Sequence, residues 1–335
     1  MSTTRLPRRS LVAAAGLALG VSLTACGGNV GDSASSEEAF PSGPVTLLIG
    51  QDPGGSTDLI GRALAEQAAD ELGVAITVEN RPGANGALAA RELAGAAPDG
   101  QTLMVFNGSL AYITPLAVAE DEAVDIEDYE VVTGVSQDDY VLVTSPDSGL
   151  ATLADLSAAG RPLTYGTTGV GTGSQLSQAL LFQKAGVQAT AVPFDGGAPT
   201  VTAVLGGQVD VGSVQLGEAK AQIDAGELVP LVVFADERNP NMPDVPTAVE
   251  SGIEASVQQS RAVVAPQGTP QETIDTLRAA FQTAFDSQEY QDFNTSNLLV
   301  PNEVPGDELL AQWTEARDEY SDFVQESGVD LGGQG

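Results

Sequence analysis

Short apolar runs alternate with longer amphipathic segments from residue 44 onward. In the first half, apolar runs predict strands at 45–49, 75–80, 102–106, 131–135 and 140–144, and in the second half at 162–166, 188–192, 209–214 and 228–234. Helical patterns separate several of these runs, at 56–72, 86–95, 174–185 and 198–205. This alternation predicts an α/β fold with largely parallel sheets, in which ligands bind at loops beyond the carboxyl ends of the strands.

Four of those loops share one chemistry. They are GQDPGGSTD at 50–58, NGS at 107–109, GTTGVGTGS at 166–174 and FDGGAPT at 194–200. Each follows a strand and precedes or touches a helix start, where unpaired backbone N–H groups attract anions. The first loop contains no Lys or Arg, yet it carries Asp52 and Asp58. A single loop of this kind is better explained as an ordinary turn with a helix cap, but four together predict a shared site in which helix dipoles and hydroxyl groups hold a small carboxylate.

The composition argues against catalysis and against nucleic-acid binding. The chain has no His, one Cys, no GxSxG motif and no metal-ligand spacing, so we expect no catalytic residue, metal or cofactor. Its 46 acidic and 13 basic residues give a net charge of −33, which disfavours polyanionic partners and suits an extracellular setting. The two lysines, Lys184 and Lys220, lie in amphipathic patterns and are expected to face solvent.

The first 43 residues are predicted to direct export rather than to fold. Residues 1–25 combine three Arg with an apolar run that is too short to span a bilayer, as in a signal peptide. The tetrapeptide ending at Cys26 resembles a bacterial lipobox, which implies lipidation of Cys26, and the Gly/Ser-rich residues 26–43 predict a flexible tether. Removal of residues 1–25 lowers the net charge by three, to −36. Arg8 and Arg9 fit a twin-arginine signal, but the general secretory route stays open.

Ordered motifs across the body carry a family resemblance. They are PGGSTD at 53–58, VENRPGANG at 78–86, PDGQTL at 98–103, GGAPTVTAVLGGQVD at 196–210, MPDVPTAVESG at 242–252 and VVAPQGTP at 263–270. The chain thereby resembles the extracytoplasmic receptors of tripartite tricarboxylate transporters, the Bug family. The resemblance implies a periplasmic-binding-protein fold: two α/β lobes with a ligand cleft between them, joined by crossing strands near 141–146 and 261–266. Lobe one would comprise residues 44–143 plus 265–335, and lobe two residues 144–264.

The same resemblance implies a function. The protein would be a monomeric, lipid-anchored receptor on the extracytoplasmic face of the cell membrane. It would bind a small organic carboxylate, such as a di- or tricarboxylate, an acidic amino acid or an aromatic acid, and deliver it to the transporter's permease. A receptor that presents its ligand to a sensor kinase, without any transport role, is the alternative that the sequence leaves open.

Site residues follow from the motifs that the chain shares with the family. Gly54 and Gly55 would let the backbone approach a carboxylate closely, whereas Thr57 and Ser109 would donate hydroxyl hydrogen bonds, and Asp58 would cap its own helix. Asp52 replaces a residue type usual in the family and is a candidate for selecting a ligand with an amino or hydroxyl group. The ENRPG turn is expected to support lobe one. The full set assigned to ligand binding is Gln51, Pro53, Gly54, Gly55, Ser56, Thr57, Asp58, Asn107, Gly108, Ser109, Thr167, Thr168, Gly173, Ser174, Gly196, Asp210 and Gln215.

Overall fold

The computed structural model describes residues 40–332. The predicted signal peptide, Cys26 and most of the predicted tether therefore lie outside the described residues. Within 40–332, no helix is both long enough and apolar enough to cross a membrane.

Nine strands and ten α-helices alternate along most of the described chain. The strands are β1 (Val45–Ile49), β2 (Ile76–Asn80), β3 (Thr102–Asn107), β4 (Tyr129–Thr144), β5 (Leu163–Thr167), β6 (Ala189–Pro193), β7 (Val211–Gln215), β8 (Val229–Val233) and β9 (Gln258–Pro266). The helices are α1 (Ser56–Leu72), α2 (Ala87–Ala94), α3 (Ser109–Tyr112), α4 (Leu153–Ala158), α5 (Gly173–Lys184), α6 (Gly197–Leu205), α7 (Leu216–Asp224), α8 (Gln271–Asp286), α9 (Gln288–Ser296) and α10 (Gly306–Ser327).

The strands form two groups that share β4. In the first group β1 pairs in parallel with β2 and β3, and β9 lies antiparallel between β3 and the first part of β4. In the second group β5 pairs in parallel with β6 and β7, while the last part of β4 is antiparallel to β7 and β8. The chain thus has two α/β lobes, as the resemblance implies.

Strand β4 passes from one group to the other without a break. It pairs with β9 as far as Asp139 and with β7 from Tyr140 onward. The sequence predicted two separate strands here, because polar residues interrupt the apolar pattern at 136–139. The interruption lies inside the strand because two of those residues, Ser136 and Asp138, are buried and hydrogen-bonded. The predicted lobe boundaries themselves stay a prediction.

Helices cover both groups of strands and place the predicted loops opposite one another. Helices α1, α8 and α9 share an apolar core with β1 and β3, whereas α6 and α7 share another with β4 and β7. Helix α10 contacts α3 of the first group and α5 of the second. The carboxyl ends of β1, β3, β5 and β7 carry the loops that begin near Gly50, Asn107, Thr167 and Gln215, and residues from all four loops reach a common cavity.

Candidate functional site

The polar loops of both lobes converge on one small cavity. Its volume of about 20 Å³ is room for about one water molecule. Ligand clefts are usually roughly 300–1,000 Å³, so the lobes must separate to admit a ligand. The residues lining it are Gln51, Gly55, Ser56, Thr57, Asn85, Asn107, Thr168, Gly196, Gly197, Gln215, Glu218 and Gln259.

Three helices begin at the cavity wall. Helix α1 begins at Ser56, α6 at Gly197 and α7 directly after Gln215. A helix N-terminus carries roughly half a positive charge and exposes N–H groups that no partner within the helix accepts. Each of these three starts contributes partial positive charge at the cavity wall, without a lysine or arginine on the loops themselves.

The PGG loop is held by Asp58. The Asp58 carboxylate accepts hydrogen bonds from the Gly54 amide at 2.9 Å, from Asn80 Nδ2 at 2.9 Å and from Arg62 at 2.8 and 3.1 Å. Burial by itself would raise the pKa of Asp58, but the hydrogen bonds from Arg62, Gly54 and Asn80 together hold that pKa below its usual value. Asp58 is therefore ionised and orients the loop, and it does not line the cavity.

The free amide at the start of α1 is occupied by a carboxylate of the protein itself. Ser56 N donates to Glu218 Oε1, on the opposite side of the cavity, at 2.7 Å. Glu218 Oε2 accepts from the Gln215 amide at 3.1 Å, and the Gln215 side chain, in the orientation that satisfies it, donates through Nε2 at 2.6 Å. Burial raises the pKa of Glu218, while the Ser56 amide and Arg261 oppose the rise.

A buried arginine lies behind the first loop. Arg261 of β9 donates through Nε to Thr57 Oγ1 at 3.0 Å and through Nη1 to Ser136 Oγ and to the carboxylate of Asp138. Thr57 in turn donates to Asn107 Oδ1 at 3.2 Å. The hydroxyl proton of Thr57 is thus engaged by Asn107, and the Nδ2 donors of Asn107 are left for the cavity.

The loop at 166–174 is held by hydrogen bonds to its own backbone and to β7, and Thr114 Oγ1 donates to its Gly171 carbonyl at 2.9 Å. Ser174 Oγ donates to the Ser213 carbonyl at 2.6 Å and accepts from the Thr168 amide at 3.2 Å. Thr167 donates to the Gly169 carbonyl. Gly173 lies so close to the Tyr140 ring that a Cβ there would overlap it. Of this loop, Thr168 is the residue that reaches the cavity.

About half of the sequence-predicted site residues line the cavity. Those that do are Gln51, Gly55, Ser56, Thr57, Asn107, Thr168, Gly196 and Gln215. Those that do not are Pro53, Gly54, Asp58, Gly108, Ser109, Thr167, Gly173, Ser174 and Asp210. Asp210 precedes β7, at the opposite end of that strand from Gln215, and it pairs with Arg161 at 2.6 Å. The hydrogen bond from Arg161 holds the pKa of Asp210 below its usual value, with support from Thr164.

Four lining residues were not predicted: Asn85, Gly197, Glu218 and Gln259. Asn85 belongs to the ENRPGANG segment at 79–86, whose turn was assigned a supporting role. Its backbone is left-handed (φ 57°), which Asn tolerates, and its carbonyl accepts from Gln51 Nε2 at 3.2 Å. Glu218 lies three residues after Gln215, the spacing of a helix capping box, and that spacing is the local signal that could have identified it.

A larger cavity of 320 Å³ lies beside the first, and Ser56 and Glu218 line both. Its wall is largely apolar and includes Leu59, Val201 and Phe293. The smaller cavity gathers residues from all four predicted loops, so we take it as the candidate site. The part of the chain that the structure describes contains no cluster of three side chains suited to a metal ion.

Comparison with known proteins identifies the family. Residues 60–321 match the model of the tripartite tricarboxylate transporter family receptor. BugT of Bordetella pertussis is 28% identical over 302 residues, which is 88% of this chain and 93% of BugT. The structure of MatC from Rhodopseudomonas palustris with bound malate has 30% identity and a TM-score of 0.80, covering 85% of this chain and 100% of MatC. The structure of R. palustris Rpa4515 with adipate has 25% identity and a TM-score of 0.81, covering 87% of this chain and 99% of Rpa4515.

These similarities extend over most of the chain and agree with the two-lobe fold. They confirm the periplasmic-binding-protein architecture and the expectation that the protein is a receptor and not an enzyme. A receptor of this kind acts outside the cytoplasm, so export is implied as well. The chain belongs to the Bug-type receptors of the tripartite tricarboxylate transporter family.

Proposed function

We propose that this protein is a lipid-anchored receptor that captures a small organic carboxylate and delivers it to a tripartite tricarboxylate-type permease. Residues 1–25 serve as its signal peptide, Cys26 carries the lipid and residues 26–43 form the tether. The receptor acts as a monomer, with residues 44–143 and 265–335 as lobe one and 144–264 as lobe two.

The convergence of three helix N-termini on a polar cavity between the lobes is the observation that supports carboxylate binding most directly. Asn107 Nδ2 and the first amides of α6 are donors available to a carboxylate there. Donors of this kind are neutral, so binding needs no ion pair, and the lobes can reopen to release the ligand. The malate and adipate bound by the two related structures are ligands of this class.

A thermal-shift panel of carboxylates, amino acids, sugars and divalent cations tests the binding step. A ligand at 100 times its Kd stabilises the protein by about 2.7 kcal/mol, which produces a measurable rise in Tm. We expect small carboxylates to give the rise. A rise with a sugar or a cation, and with no carboxylate, would refute the assignment.

Anchoring and transport need separate tests. Cells that make the Cys26→Ser variant should release the protein from the membrane fraction, whereas the wild-type protein should stay there and incorporate labelled fatty acid. Deletion of the gene should abolish uptake of the carboxylate identified by the panel. Unchanged uptake, together with loss of a transcriptional response to that carboxylate, would favour a sensory role instead.

A further inference from the structure

Two side chains that line the cavity can accept hydrogen bonds, whereas a simple carboxylate has no hydrogen bond to donate. Gln51 lines the cavity and donates through Nε2 to the Asn85 carbonyl at 3.2 Å, which leaves its Oε1 for another donor. Among the described residues this buried oxygen has no hydrogen-bond partner. A buried acceptor without a donor is costly, so Gln51 Oε1 indicates that the ligand brings a donor.

Glu218 is the second acceptor. Of the described residues that line the cavity it alone is charged. Its carboxylate accepts from the Ser56 and Gln215 backbone amides and from the Gln215 side chain. A carboxylate can accept about four hydrogen bonds, so capacity remains for a ligand donor.

Contacts within its own lobe hold Glu218 in place. Its bond to the Gln215 amide fixes it within its own helix start. On another side the α6 backbone is so close that a Cβ on Gly197 would overlap the Glu218 carboxylate. Glu218 is therefore a fixed part of the cavity wall, and a ligand that occupies the cavity lies against its carboxyl oxygens.

We propose that the cleft is built for a carboxylate that also carries a hydrogen-bond donor, an ammonium or hydroxyl group, which Glu218 and Gln51 Oε1 accept. This inference rests on the proposed function and names the ligand class of the same site. The closed cavity has room for about one water, which is the size of one donor group, and Gln51 and Glu218 both line it. With the lobes far enough apart to admit the ligand, the ligand carboxylate takes the donors that Glu218 does not use, on Asn107 and at the start of α6.

This assignment differs from the role that the sequence suggested for Asp52. The Asp52 side chain does not line the cavity, although its backbone amide bonds to the Asp195 carbonyl at 3.0 Å. Selection of an amino or hydroxyl group therefore falls to Glu218 and Gln51. Asp52→Asn is the matched control, because it neutralises an acid next to Gln51 but outside the cavity.

Matched ligands measure the preference directly. Calorimetric titration of the purified protein compares succinate, malate and aspartate, which differ at one carbon by a hydrogen, a hydroxyl or an ammonium group, and the same series built on glutarate. Any other carboxylate found to bind is compared with its own analogue that lacks the donor. We expect the donor-bearing ligand to bind about ten- to a hundredfold tighter, the range for leaving one buried acceptor unpaired.

The variants then assign that preference to residues. In Glu218→Gln, which preserves the capping-box spacing, the ratio of the two Kd values should fall at least tenfold. In Gln51→Met it should fall as well, and in Asp52→Asn it should be unchanged. The ratio is taken within one variant, so a general loss of stability cancels.

Each remaining result has a distinct meaning. Equal binding of succinate and its substituted analogues by the wild-type protein would overturn the inference and leave the proposed function intact. An equal gain in affinity for all ligands in Glu218→Gln would also overturn the inference, because Glu218 would then only repel anions. If no carboxylate bound at all, the proposed function itself would fail.

Discussion

Replacement of Arg261 by Met should destabilise the protein strongly, because it leaves an acid buried without its cation. The side chains of Arg261 and Asp138 are 1% and 2% exposed, and they form an ion pair that also includes Ser136. Removal of one partner from a buried pair typically costs about 3–5 kcal/mol. We therefore expect the free energy of unfolding, measured by urea denaturation and circular dichroism, to fall by about that amount.

The double variant provides the decisive comparison. Asp138→Asn removes the charge that Arg261→Met leaves unpaired; its amide oxygen can accept from the Val300 amide, and its Nδ2 can donate to Ser136 Oγ. The double variant should therefore be more stable than Arg261→Met alone. Arg317→Met, which removes an exposed pairing with Asp318, should change stability by less than about 0.5 kcal/mol.

The stability that Arg261→Met loses should also depend on pH. Burial raises the pKa of Asp138, and Arg261 opposes that rise, so without Arg261 the folded-state pKa moves further up. A carboxyl group with a raised folded-state pKa favours the folded protein at low pH and loses that contribution as the pH rises through the pKa. The difference between variant and wild type should therefore shrink as the pH falls. A variant within 1 kcal/mol of wild type at neutral pH, or a double variant as unstable as the sum of the singles, would refute this reasoning.

Three further substitutions test the geometry of the site. Gly197→Ala should weaken ligand binding at least tenfold, because its Cβ would overlap the Glu218 carboxylate of the same lobe and displace it; Gly95→Ala, which meets no atom closer than 3.7 Å, is the control in the same titration. Asp58→Asn should cost about 1–3 kcal/mol in urea denaturation at neutral pH. Because the pKa of Asp58 is lowered in the folded state, its stabilisation is present above the unfolded-state pKa and is lost as the pH falls through the folded-state value. The variant lacks this carboxyl group, so its free energy of unfolding should fall less steeply with decreasing pH than that of the wild type. Asp210→Asn should leave ligand affinity unchanged, and a tenfold loss would show that the cavity does not define the binding site.

Local patterns in the sequence were sufficient for most of the fold and for the position of the cleft. Strand periodicity followed by Gly, Ser and Thr identified the loops that contain Gly55, Asn107, Thr168 and Gly196, because strand ends and helix starts are encoded within a few residues. Asp210 was assigned to the cleft by its motif, but it lies at the far end of β7, a strand length away from Gln215.

The charges that shape the site depend on contacts distant in sequence. Ser56 and Glu218 are separated by 162 positions, and Thr57 and Arg261 by 204. No period or spacing encodes such pairs, so the sequence indicated an anion-binding loop without a cation and could not indicate what occupies it. The structure shows Glu218 at the free amide of the loop and Arg261 behind it. β4 changes its pairing partner from β9 to β7 at 139 and 140, beside the buried Asp138 that pairs with Arg261.

Mass spectrometry of the small molecule released from gently purified protein tests carboxylate capture most directly. The account predicts one small organic acid in near-stoichiometric amount, and its return to the emptied protein should restore the Tm. A sugar, a metal ion or a ligand without a carboxyl group, released in that amount, would contradict it.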